Sequence, residues 1–184
     1  MKTARLDAGK YLGEHGRAEF NILGVTFGGR YDGSPAIVGD GSSPPADTPN
    51  AYTPTACPGG RPPHAWLEDG SSLFDAFGFD WTLLVLGPVD EDATPFASAM
   101  NRFDANLRVV RIADPEVYAL CGAGLVLIRP DQIVAWRGST AADAGRIVHQ
   151  VLGHVGEEQE AKPTLPAGEV AWFRSSSMIA REGL

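Results

Sequence analysis

The residues able to do chemistry are sparse and poorly grouped. The two cysteines, Cys57 and Cys121, form no CxxC pair and no metal-spaced set. A reactive thiol must be held as a thiolate by a nearby cation or a helix N-terminus. Leu120-Cys121-Gly122-Ala123-Gly124 offers no adjacent His, Lys or Arg, so Cys121 reads as a small buried residue at a helix end. Two free structural thiols suit a reducing, cytoplasmic setting. The four histidines, His15, His64, His149 and His154, include no HExxH and no acidic-histidine constellation. No catalytic residue, metal ligand or cofactor-binding residue is assigned on this basis.

The elements that would position these residues centre on Leu107–Arg137, LRVVRIADPEVYALCGAGLVLIRPDQIVAWR. LRVVRI, LVLIR and IVAW are β-prone runs bounded by turn residues. Asp114 can cap a short helix that Pro115 begins and Gly122 ends. Arg129-Pro130-Asp131-Gln132 suits a hairpin turn. The helical crossover predicts LRVVRI and LVLIR as a parallel pair, and the turn predicts LVLIR and IVAW as an antiparallel one. Upstream, Trp81–Leu86 is a near-continuous apolar run, the pattern of a strand covered on both faces. Phe96, Ala99, Met100 and Phe103 make a helical stripe over Pro95–Asp104. Thr140–Asp143 resembles a capping box opening a helix whose buried face carries Ala144, Ile147, Val148, Val151 and Leu152. Ser71 or Ser72 can cap a short helix in LFDAFG, with Phe74 and Phe77 turned to the sheet.

The resulting order from Trp81 is β-α-β-α-β-β-α, a thioredoxin-like α/β arrangement with a mixed four-stranded sheet flanked by helices. The expected core holds Trp81, Leu83, Val85, Val109, Val126, Ile128, Val134, Ile147 and Val151. Thioredoxin-like enzymes carry a cysteine at the start of the helix after the first central strand. Here that stretch is GPVDEDATPF, without a thiol.

Outside this unit the composition changes. Met1–Ala18 is weakly helical, interrupted by Gly9, Gly13 and Gly16, and FNILGVTF at Phe20–Phe27 suits a strand or a buried extended segment. Residues 28–63 are dense in Gly, Pro, Ser and Thr and cannot form a helix of normal length, which leaves a linker or an arm that wraps a surface. The chain divides into an N-terminal segment and arm over 1–60, a folded domain over 61–153, and an extension over 154–184 whose Val170, Trp172 and Phe173 form an apolar island. A formal net charge of -8 opposes non-specific binding to nucleic acid or anionic membrane. No apolar run approaches a membrane span or a signal-peptide core.

Four stretches together resemble one known family. Gly60-Arg61-Pro62-Pro63-His64-Ala65-Trp66-Leu67, Ser72-Leu73-Phe74-Asp75-Ala76-Phe77-Gly78, Trp81-Thr82-Leu83-Leu84 and Leu127–Arg137 look like the C-terminal thioredoxin-like domain of FAD-dependent aromatic hydroxylases, both phenol hydroxylase-like and polyketide-tailoring. LGVTFGGRYDGSPAIVGDG at Leu23–Gly41 resembles the connection leading into that domain, so the resemblance covers most of Leu23–Leu152. Arg61, His64 and Asp75 recur in the family-like motif. The expectation drawn from them is a hydrogen-bond network pinning the arm onto the domain, or a ligand contact.

The resemblance implies a structural or assembly domain without catalysis of its own. The FAD-binding features of those hydroxylases, a strand-GxGxxG-helix and a later GD motif, are not matched. No cofactor is therefore expected in this chain, and FAD only where a partner supplies it. One alternative is a component of a split hydroxylase acting with a separate FAD-bearing chain. Another is a stand-alone binding module for an aromatic metabolite. The expected partners are a second copy in a homodimer or a flavin hydroxylase chain, with no nucleic acid and no membrane.

Overall fold

The computed structural model describes residues 2–87 and 91–154. The expectations for Val170, Trp172, Phe173 and the 154–184 extension lie outside the described residues, save His154. Two helices come first, α1 (Lys2–Phe20) and α2 (Leu23–Phe27). After the arm and a 3-10 turn at Leu73–Ala76 follow β1 (Trp81–Leu86), α3 (Thr94–Asn101), β2 (Leu107–Ile112), α4 (Pro115–Cys121), β3 (Leu125–Ile128), β4 (Val134–Gly138) and α5 (Ala144–Val151). From Trp81 onward this is the β-α-β-α-β-β-α order read from the sequence.

The four strands form one sheet in the order β2-β1-β3-β4. β1 runs parallel to β2, with Leu83 opposite Val109, and antiparallel to β3, with Leu83 opposite Leu127 on that side. The expected parallel pairing of LRVVRI with LVLIR is therefore corrected. β1 lies between them in the sheet, while the connection through α4 carries the chain past β1 and reverses it. The β3–β4 hairpin is as expected, closed by Arg129 N–H donating to Ile133 O and Gln132 N–H to Arg129 O. Gln132 completes the turn at φ 64.

Alternation along the strands divides the interior in two. Leu83, Val85, Leu125 and Leu127 face α3 and α5, packing with Phe96, Met100, Ile147, Val148 and Val151. Leu84, Leu86, Val126 and Ile128 face the other way, toward Leu73, Phe77, Val117 and Cys121. A register shift in the β3–β4 ladder, where Leu127 pairs Trp136 but Ile128 pairs Val134, leaves Ala135 as an extra residue. As in other bulges, two successive side chains, Ala135 and Trp136, then join the same cluster.

Several local expectations change. Val109 is 37% exposed, because β2 is an edge strand; Arg108 and Arg111 beside it discourage pairing with another chain. Trp81 is only partly buried, at the margin of the α3–α5 cluster. α3 ends at Asn101, short of Asp104. α5 begins at Ala144 with no side-chain cap from Asp143, so Thr140–Asp143 is not a capping box. The real capping box is at Ser72, whose hydroxyl accepts from Phe74 N–H while Asp75 accepts from Ser72 N–H. FNILGVTF contains the short exposed helix α2, with no buried residue. The caps of α4 follow the sequence: Asp114 accepts from Glu116 and Val117 N–H, and Gly122 closes the helix at φ 66.

Candidate functional site: the arm on the edge of the sheet

β4 is an edge strand, and its outer side is occupied by the arm. Gly59 N–H donates to Val134 O at 2.8 Å, and Val134 N–H donates to Gly60 O at 2.9 Å. Val38 N–H donates to Ala135 O at 2.8 Å, using the carbonyl at the bulge. The arm thus satisfies backbone groups that an open edge would offer to another strand. It also contributes to both interiors, since Val38 lies in the α3–α5 cluster and Ala56 in the opposite one. The Gly/Pro-rich stretch is an arm that wraps, and it wraps its own domain.

Side chains on β4 and α5 fasten it to the domain. Arg137 on β4 donates from Nε to Asp40 at 2.6 Å, from Nη1 to the Cys121 carbonyl at 2.9 Å and from Nη2 to Ser42 Oγ at 3.2 Å. One guanidinium therefore links the arm, β4 and the end of α4. Burial raises the Asp40 pKa, but its hydrogen bonds from Ser42 and Arg137 outweigh this and hold it below the ordinary carboxylate value. Gln150 on α5 donates from Nε2 to the Pro35 and Ile37 carbonyls. Arg30 bonds Asp32 and Asp47 within the arm, which raises its own pKa.

Two of the three residues singled out in the sequence, Arg61 and His64, meet around one ring, and Asp75 does not join them. Arg61 lies over Phe74, 5.2 Å from its centroid, and His64 stacks on the same ring at 6.0 Å with an 11° interplanar angle. No hydrogen bond joins Arg61, His64 and Asp75 to one another among the described residues. Arg61 Nη2 donates to Gln132 Oε1 at 3.1 Å, tying the arm to the β3–β4 turn. Asp75 is used by the Ser72 cap at 3.2 Å. Phe74 and Gln132 were read only as packing and turn residues, and Asp40 and Ser42 were not singled out. Asp40 and Ser42 stand 95 or more positions before Arg137, and no local spacing signals such a contact.

Among the described residues, no group of three or more His, Cys, Asp or Glu could hold a metal ion. Cys57 and Cys121 are free and buried. Burial pushes the Cys121 thiol up to about 11, against a smaller opposing effect of Arg137. It stands at the C-terminal end of α4 and stays protonated at neutral pH. The starts of α3 and α4 each carry a carboxylate. Asp92 accepts from Thr94 N–H ahead of α3, and Asp114 from Glu116 N–H at the start of α4. Each carboxylate accepts from backbone N–H groups in the first turn, where negative charge is favoured.

The arm, the Arg61–Phe74 cluster and the hairpin turn lie within or beside the span that matches the family described as aromatic-ring hydroxylase, C-terminal, residues 55–156. The chain belongs to that family. It is 34% identical over 147 residues to the FAD-dependent monooxygenase opdD of Penicillium oxalicum, covering 75% of this chain and 28% of the relative. It is 36% identical over 143 residues to aklavinone 12-hydroxylase RdmE of Streptomyces purpurascens, covering 70% of this chain and 26% of that enzyme. The solved structure of native and K252c-bound RebC-10x superposes with a TM-score of 0.72 at 34% identity, over 83% of this chain and 29% of that one. The chain spans less than a third of the length of the curated relatives it matches. It corresponds to the C-terminal part of flavin-dependent aromatic monooxygenases.

Proposed function

We propose that this chain is a non-catalytic structural domain of a flavin-dependent aromatic monooxygenase system, thioredoxin-like in its strand order. The observation that carries this reading is the use made of its polar groups. Arg61, Asp75, Arg137 and Asp40 are engaged in fastening the arm or capping a turn. The Cys121 thiol, pushed up to about 11 by burial, is unsuited to disulfide exchange. The α3 start, where a thioredoxin-like enzyme would need its cysteine, is closed by Asp92. The two buried free thiols suit the cytoplasm, where we place the chain. No described helix is long and apolar enough to cross a membrane.

The test is direct. The purified chain, incubated with FAD and passed through gel filtration, is expected to emerge without flavin, and to reduce no model disulfide at a rate that depends on Cys121. Stoichiometric FAD retention, or disulfide reduction abolished by Cys121→Ala, overturns the proposal. A second reading is a component of a split hydroxylase acting with a separate FAD-bearing chain. It predicts that adding the chain to a separate FAD-bearing hydroxylase chain raises turnover of an aromatic substrate.

A further inference from the structure

Arg61 is a partly buried guanidinium without a counter-ion. Arg30, Arg129 and Arg137 each meet a carboxylate, at 2.7, 3.1 and 2.6 Å. Arg61 meets none among the described residues; it bonds Gln132 through Nη2 and lays its face on the Phe74 ring. A guanidinium carries five N–H donors in a planar fork, so most of the Arg61 fork is unused. Holding a charge partly out of water with no opposite charge is unfavourable, and an anion supplied from outside would complete the pair.

The residue also lines a cleft between α2 and the arm. The narrow part of this cleft, about 30 Å³, is bounded by Phe27, Gly29, Tyr52, Thr53 and Arg61. Gly28, Gly29 and Arg30 carry it into a broader part of about 400 Å³ beside Val25 and Pro49. A water needs about 10–15 Å³ on the same measure, so the narrow part takes about two water-sized groups, the size of a carboxylate. The Tyr52 hydroxyl makes no hydrogen bond among the described residues. No buried side-chain donor or acceptor is left unpaired, so this hydroxyl and the spare Arg61 N–H groups are open to solvent. Burial raises the Tyr52 pKa, and the nearby Arg61 charge opposes this; the phenol is a proton donor at neutral pH. The charge of Arg30 is taken up by Asp32 and Asp47, which leaves that of Arg61 uncompensated. An apolar wall stands beside it: the Phe27 ring lies 5.7 Å from that of Tyr52, tilted by 51°, and Phe27 is 41% exposed.

We propose that this cleft binds a small carboxylate with a flat apolar body. The carboxylate accepts from the Arg61 fork and the Tyr52 hydroxyl, and the body lies along Phe27 toward the broader part. The planar fork matches the two oxygens of a carboxylate, and the bond to Gln132 on the β3–β4 turn holds the fork in place. This site goes beyond the structural role proposed above and does not depend on it.

The test titrates the full chain with sodium benzoate and follows the backbone amides by NMR. Saturable shifts are expected at Gly28, Gly29, Tyr52, Gly60 and Arg61, with a Kd of about 1 mM or below. Benzyl alcohol, with the same ring but no charge, should bind at least about tenfold more weakly. Arg61→Met keeps an apolar stem over Phe74 and removes the fork. It should weaken benzoate about ten- to a hundredfold, the range for losing a hydrogen bond to a charged group. Gly29→Leu plugs the cleft from a position where a Cβ meets nothing within 4 Å, so it should abolish binding at an unchanged urea midpoint. Arg102→Gln, outside the cleft, should change binding less than twofold.

Absence of saturable shifts at about 10 mM benzoate overturns the proposal. So does benzoate binding that Gly29→Leu leaves intact, a result that stands even if Arg61→Met loosens the arm. Benzyl alcohol binding as tightly as benzoate shows that the charge is not recognised. Inorganic phosphate displacing benzoate at equal concentration shows that the body is not. Either outcome defeats the assignment.

Discussion

Replacing Arg137 with alanine removes a side chain that links the arm, β4 and the end of α4, and its cost can be worked from its three hydrogen bonds. The Arg137 and Asp40 side chains are 16% and 21% exposed. Their 2.6 Å contact falls between an exposed ion pair, worth about 0–1 kcal/mol, and a buried charged hydrogen bond, worth about 1.5–3 kcal/mol. The bonds to the Cys121 carbonyl and Ser42 hydroxyl add about 0.5–1 kcal/mol each. Arg137→Ala should therefore destabilise the fold by about 2–4 kcal/mol, read as a lower urea midpoint at unchanged slope. Asp40→Asn retains the neighbouring hydroxyl but loses the charge and should cost about 1 kcal/mol. Because the residues touch, the double mutant should show a coupling energy of about 1 kcal/mol. The same pair predicts an acid limb. Asp40 has a depressed folded pKa, so its contribution is present above the ordinary carboxylate value near 4 and is lost as pH falls through the folded value. Asp40→Asn should lack that loss. Additive single mutants at pH 7, or an identical acid limb in wild type and Asp40→Asn, would show that the clasp contributes nothing and that backbone bonds alone hold the arm.

Leu83→Ala, at a fully buried position in the central strand, should cost about 2–5 kcal/mol in denaturant melts; a cost under about 1 kcal/mol would contradict the packing described. Cys121, raised from 9.0 to about 11, contributes stability that is complete below pH 9 and fades as pH rises toward 11, about 2–3 kcal/mol in all. That alkaline loss should be missing from Cys121→Ala when the two melts are compared across this window. Asp114→Ala removes the α4 cap and should lower stability by about 1 kcal/mol, with faster amide exchange at Glu116 and Val117. Gly138→Ala would drive a methyl into the Trp136 ring and should lower the urea midpoint; an unshifted midpoint would mean that the indole moves freely.

The local sequence by itself determined every element from Trp81 to Val151, because each depends on neighbours a few positions away. The Asp114-Pro115 start and Gly122 stop of α4, the apolar run of β1, the Phe96–Met100 stripe and the turn at Arg129–Gln132 are all short-range patterns. The family motif was legible for the same reason, as contiguous words such as GRPPHAWL and LIRPDQIVAWR. Burial on β2 was not: Val109 has the residue type of a core position, and only the strand order puts it at an edge. The pairing partner of β3 was likewise decided by competition among strands for the centre of the sheet. FNILGVTF shows the limit of apolar content as a signal, since its Leu23–Phe27 part forms the exposed helix α2. Composition marked residues 28–63 as unable to fold alone, but where they lie depends on which edge carbonyls are left open, and those belong to Val134 and Ala135. The clasp of Arg137 on Asp40 and Ser42 exists only once the hairpin, the end of α4 and the arm have converged. Contacts so distant in the chain are set by tertiary packing, for which no local periodicity stands in.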